Sequence, residues 1–238
     1  MKLAKKFLFV TALLALNAII FAQSKESETN VENEYLTDVD GDIIMSLATS
    51  DELDNKLVAL QYLQNAIEEG NTSDLVIKAL DQLAGEGITS QTRTAGRISN
   101  NFPEVRRQAC LLLAKVPTEH SKNTLVNIAI ADNEPMVIAA AVQSLGTIGI
   151  NDNDETVEAI AYANKRNQVL NPTSSLAMEV LCAYEKLADS TQNKKTLLNS
   201  ISMISSDYRY VTPVRQKAYK LLKQMSSQSS SSSNSNAK

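Results

Sequence analysis

Tryptophan is absent from the 238 residues, aromatic residues make up only 5%, and there are seven glycines and five prolines. So little turn chemistry, beside abundant Leu, Ala, Ile and Val, argues against a turn-rich β fold and for helices. Histidine occurs once, at His120. One imidazole cannot build a His-rich metal cluster, and it leaves the cysteines few choices of activating base. No phosphate-binding glycine loop, serine nucleophile motif or convincing pair of carboxylates stands out, so no catalytic residue, metal ligand or cofactor is assigned. Positive charge is also scarce: the formal net charge is −4. An acidic chain is a poor candidate for sequence-independent nucleic-acid binding, which depends on neutralising phosphates with Lys and Arg.

What is present begins with an export signal. Lys2, Lys5 and Lys6 precede an apolar run from Phe7 to Phe21, broken only by Thr11 and Asn17. Ala22 fits position −1 of a cleavage site before Gln23, with Ile20 at −3. The run is shorter than the roughly 20 residues that usually span a bilayer, and no basic stop-transfer cluster follows it. Residues 1–22 are therefore expected to be a cleaved signal peptide, with the mature protein periplasmic or secreted and without a membrane span. Cleavage removes three lysines and takes the net charge to about −7.

Residues 23–41 are polar and acidic, and read as a flexible leader. From Ser226 the chain carries eight serines in thirteen residues, a composition expected to be disordered.

Between these ends the pattern is helical and repeats. Pro103 precedes Val105, Ala109 and Leu113; Pro135 precedes Val137, Ala141 and Leu145; Pro213 precedes Val214, Ala218 and Leu222. Residues four apart share one helical face, and a small residue in the middle lets a neighbouring helix approach closely. Asn171-Pro172 opens a fourth copy of uncertain register. Amphipathic segments precede these copies at Glu119–Ala131, Asp154–Arg166 and Gln192–Ile204. A proline at the first turn suits a helix start, so each unit reads as helix, tight turn, helix. Starts at 103, 135, 172 and 212 lie roughly forty residues or fewer apart, a solenoid period.

The turn Asp132 to Pro135 with its following helix, and the Val-Arg-x-x-Ala segments at 105–109 and 214–218, resemble the second helices of HEAT repeats. The expected fold is all-α, a solenoid of about four to five stacked pairs over 42–225, in an exported bacterial member of that family. Tetratricopeptide repeats fit less well, because their regular aromatic pattern is missing. Asp51–Gly70 and Ser73–Ala84 look like a further pair. The stretch 85–99 is either a weak first helix or an insertion. The family's arginine is present at Arg106 and Arg215 but replaced at Ile138 and Ser175.

The resemblance implies that Arg106 is structural, bonded to acidic or polar turn residues of a neighbouring repeat. Cys110 and Cys182, two units apart, should lie roughly 20 Å apart, too far for a disulfide, and read as packing thiols. His120 reads as a surface or capping residue. The acidic stretch 38–42 fails the calcium-loop pattern, having Ile43 where glycine is needed and Thr49 where glutamate is needed. Acids at 151–155 suit a helix start.

The family's second helices usually line its partner surface. Register then puts Arg107, Gln108 and Leu111 on that face, with Ala139, Ala140 and Gln143 next, and Gln216, Lys217 and Lys220 in the last unit. The function implied is a non-enzymatic scaffold for a protein or peptide partner. The alternatives are a lyase-like HEAT protein that handles a prosthetic group, and a self-associating envelope component.

Overall fold

A computed structural model describes residues 41–235, with side chains to 226. The signal peptide, nearly all of the acidic leader and most of the 38–42 stretch lie outside the described residues. The chain divides into residues 1–43 and a second unit, Ile44–Lys238; the fold below is that of the second.

A helix over 41–49 (α1) leads into α2 (Leu53–Glu68) and α3 (Asp74–Ala84). After a short hairpin come α4 (Pro103–Leu113), α5 (Glu119–Ala131), α6 (Pro135–Ile148), α7 (Glu155–Leu170), α8 (Ser174–Leu187), α9 (Lys194–Ser206) and α10 (Thr212–Ser235). Two layers result. In one, α2, α4, α6, α8 and α10 pack in succession; in the other, α3, α5, α7 and α9 do. This is an all-α solenoid of helix pairs, and the buried apolar residues form one continuous core along it.

The repeated triads explain the second-helix layer. Val105, Ala109, Leu113, Val137, Ala141 and Leu145 are all fully buried. Pro103 and Pro135 sit in the first turns of α4 and α6, where their missing N–H costs nothing. Gly149, left-handed at φ 75°, closes α6 by donating its N–H to Leu145 O. Gly146 gives α6 a close approach to α8: a Cβ there would stand 2.7 Å from Ala183 Cα.

Two expectations need correction, and one open choice is settled. First, α2 and α3 are not a pair. Helix α3 packs chiefly on α4, so α2 closes one unit, with α1 before it, and α3 opens the next. Second, 85–99 is an insertion within that unit. It carries a hairpin of β1 (Arg93–Thr94) against β2 (Arg97–Ile98), turned by Ala95 and Gly96 at φ 51° and 79°, a left-handed pair suited to tight hairpins. Buried Asn100 pins its base, donating to Ser90 O at 2.8 Å and accepting from Thr92 N at 2.9 Å. Third, the register of α8 runs through Leu176, Val180 and Tyr184, all fully buried, while Ser175 is exposed. Ala177, not Ser175, therefore holds the arginine position. Helix α10 also runs to Ser235, into the serine-rich segment. Nothing there breaks a helix, and serine is only about 0.5 kcal/mol less favourable than alanine per residue.

Candidate functional site

The repeat arginine is spent on the scaffold. Arg106 is 1% exposed. Its Nε donates to Asp132 Oδ2 at 2.7 Å and its Nη2 to Asp132 Oδ1 at 3.3 Å. Its Nη1 reaches Glu86 O at 3.2 Å and Asn101 Oδ1 at 2.8 Å. One side chain thus joins Glu86, two residues past α3 in its own unit, to Asp132, the residue after α5 in the next.

The same joint occurs one unit earlier, with a lysine that sequence reading overlooked. Lys56 donates to Ala48 O at 3.0 Å and pairs with Glu86 at 2.6 Å, both side chains buried. Its signal was available: Lys56 stands three residues before Ala59, as Arg106 stands before Ala109. Matching arginine to arginine hid it.

Other polar groups in the first-helix layer also tie successive units. His120, exposed, pairs with Asp81 of α3 at 2.5 Å, and Asp81 accepts from Thr124 at 2.8 Å. Buried Lys122 bridges Glu119 and Glu155 at 2.5 and 2.7 Å. Asp154 is buried and accepts the backbone N–H groups of Asn193 and Gln192 at 2.6 and 2.8 Å. These two donors hold its carboxyl below the usual carboxylate range. The acids at 151–155 therefore cap the turn before α9 as well as opening α7.

Both cysteines are free thiols. Cys110 is fully buried, and burial, with the nearby Asp132 charge, pushes its thiol up to about 12. Such a thiol stays protonated at neutral pH and is no nucleophile.

The residues expected at a partner surface separate into groups. Gln108 and Leu111 of α4 meet Leu60, Gln61 and Gln64 of α2, with Leu112 and Lys115, around an open cleft of about 210 Å3. Leucines form its floor and amides its rim. Glu68 closes one end, accepting from Lys115 Nζ and Gln64 Nε2 at 3.0 Å each. Lys115 first, then Gln64, lowers its carboxyl pKa. At the other end, Glu104 accepts from Gln108 at 3.0 Å and Arg107 at 3.2 Å. Arg107 lies beside the cleft, held by this local pair.

The other positions stand apart. Gln143 is exposed on α6, and Gln216 and Lys220 are exposed on α10. Lys217 pairs with Glu185 of α8 at 2.6 Å. Three helix spacings, roughly 25–30 Å, separate α10 from α4. Ala139 and Ala140 are corrected: they are 9% and 3% exposed, because α6 is flanked on both sides by α4 and α8.

A larger hollow, about 380 Å3, lies on the other layer beside Tyr162, Lys165, Arg166, Val169 and Leu170. Its described walls all belong to α7, which makes it a depression rather than a cleft between elements. Arg166 there is already engaged with Ile130 O and Asp132 O at 2.6 and 3.0 Å. Among the described residues no group of three or more His, Cys, Asp or Glu could hold a metal ion, and no helix is long and apolar enough to cross a membrane.

Compared with known proteins, residues 91–170 match the family model for HEAT repeats. No curated protein and no solved structure matches the chain. The matched span runs from the hairpin through α7, and the pairs on either side continue the same stack. Residues 91–170 of the chain are HEAT repeats.

Proposed function

We propose that the protein is an exported, non-enzymatic scaffold that takes a protein or peptide partner on its second-helix surface, in the cleft between α2 and α4. HEAT repeats generally serve protein interaction, and the chemistry of this cleft suits that role. Leu60, Leu111 and Leu112 offer an apolar floor for one or two side chains. Gln61, Gln64 and Gln108 offer amides, which can both donate to and accept from a peptide backbone. The observation that carries the reading is the meeting of Gln108 and Leu111 with the α2 glutamines across one cleft. Gln143, Gln216 and Lys220 extend the exposed surface toward the other end. Residues 1–22 would direct export to the periplasm or beyond and be removed.

The test is a photoreactive residue placed at Gln108 or Leu111 in the producing cells, with Asn199, exposed on the opposite layer, as control. A discrete adduct at the cleft positions and none at Asn199 is expected. Equal labelling at all three would sink the cleft, and a stoichiometric small molecule retained by the purified protein would sink the scaffold reading. Mass spectrometry of the mature chain should place its first residue at Gln23.

A further inference from the structure

The two ends of the stack carry complementary halves of the joint that ties its units together, and we propose that they dock head to tail on a second copy of the chain. This docking uses the end faces and is independent of the cleft.

Aligning the second helices by their repeat register shows which way each position faces. Taking Val105 of α4 as the reference, the next residue, Arg106, reaches forward to the following unit at Asp132. Position five along is Cys110 in α4 and Val142 in α6, both fully buried. In α10 the same two positions are Arg215 and Tyr219. No described helix follows, and Tyr219 is 69% exposed. Arg215 Nε is buried without an acceptor, and the guanidinium makes a long bond, 3.4 Å from Nη2 to Thr212 Oγ1.

The first end is the mirror case. Position seven faces the preceding unit and is Leu112 in α4 and Ser144 in α6, both buried. In α2 it is Tyr62, 50% exposed, with Val58 exposed one turn earlier. The carboxylates that receive the ladder cations follow the first helices directly: Asp132 is one residue past α5, and Glu86 is two past α3. Two residues past the last helical residue of α1 stands Asp51, exposed and with no ion-pair partner among the described residues. One end therefore holds a ladder cation lacking its carboxylate, and the other a ladder carboxylate lacking its cation.

Charge and apolar surface agree on the occupant. A second copy would bring Asp51 to Arg215 and cover Tyr219 with the face that exposes Tyr62 and Val58, as each inner unit is covered by the next. Stacking of this kind is how repeat arrays bury their apolar faces, and uncapped ends are its natural sites of extension. The contact is heterologous, so further copies add in the same direction.

The experiment is sedimentation velocity of the full chain over a concentration series, with Arg215→Glu and Asp51→Arg made separately. Wild type should associate with rising concentration, and each reversal should weaken association about tenfold or more. An equimolar mixture of the two variants should restore it, since the glutamate introduced in one copy then faces the arginine introduced in the other. Loss through misfolding would not be rescued by mixing. A wild type that stays monomeric up to about 1 mM overturns the proposal. So does association indifferent to both reversals, as any other surface would give, or a mixture that fails to recover.

Discussion

In α2 and α4 the residue after the first inward position is a buried cation, Lys56 or Arg106; in α6 and α8 it is Ile138 or Ala177, equally buried. The carbonyls at a helix C-terminus need donors wherever they are shut from water. In the first half of the stack these come from the second helix of the same unit: Lys56 to Ala48 O, and Arg106 to Glu86 O. In the second half they come from a neighbouring first helix. Arg166 of α7 reaches back to Ile130 O and Asp132 O, and Gln168 of α7 reaches forward to Met203 O at 3.4 Å and Asp207 at 2.9 Å. One requirement of the fold is thus met by two chemistries, and only the first uses a fully buried ion pair.

The sharpest way to break the comparison is at Arg106. Truncating it to alanine leaves Asp132 buried without its cation and should cost about 3–5 kcal/mol in denaturant unfolding. Arg106→Ile, which copies the residue of α6, should do almost as badly alone. Combined with Asp132→Asn it should recover at least about 1 kcal/mol, because the stranded charge is then gone. A double variant as unstable as the single would mean that the arginine chiefly joins carbonyls and amides, and neutralises little.

The ladder also shows how far the sequence reaches. Helix existence, the two-layer arrangement and the inward triads were legible, because a four-residue period with proline at the first turn admits few other folds. The structural role of Arg106 was legible from its place in the repeat. Pairing before residue 103 was not: the insertion separates α3 from α4, and chain proximity suggested α2 as its partner. The cleft was half legible. Gln108 and Leu111 follow from the register of α4, but Gln61 and Gln64 depend on which helix lies beside it. Ala139 and Ala140 failed for a related reason, since register gives a direction and not the width of the neighbouring helices.

Helix spacing gives the next largest effect. Gly146 lets α6 approach α8, whereas the matching position after α4 is its C-cap Ala114, half-buried. Gly146→Ala should destabilise by about 1–3 kcal/mol through overpacking, despite the better helix propensity of alanine. At Ala114, with φ −63° and ψ −24°, chain entropy decides instead: Ala114→Gly should lose about 0.4–1 kcal/mol. Thermal or chemical unfolding of the two variants measures both. A neutral Gly146→Ala would show that α8 can yield at Ala183.

A smaller effect separates the ends by pH. Asp207 accepts from Arg209 at 2.6 Å and from Gln168, and these contacts, Arg209 first, hold its carboxyl well below the usual range. A depressed carboxylate contributes stability that is present above its unfolded pKa, about 3.9, and is lost as pH falls through the folded value. Asp207→Asn should therefore be less stable than wild type at neutral pH, with the gap narrowing only below about pH 4. A gap that closes between about pH 5 and pH 7 would assign the effect to another group.

Lys115 should matter least to stability and most to binding. It joins α4 to Glu68 of α2 across the end of the cleft, and both side chains are about half exposed. An exposed pair holds two mobile side chains for little net gain, and salt screens it. Lys115→Ala should therefore move the unfolding midpoint less than any change above. The same substitution opens the end of the cleft and removes the cation from Glu68, leaving its carboxylate with the Gln64 amide beside the leucine floor. A partner seated there by apolar contact and backbone amides should be captured less well, and added salt should reduce the difference between variant and wild type. If Lys115→Ala instead unfolded the protein like Arg106→Ala, the bridge would belong to the buried ladder, and the cleft would be a seam of the scaffold.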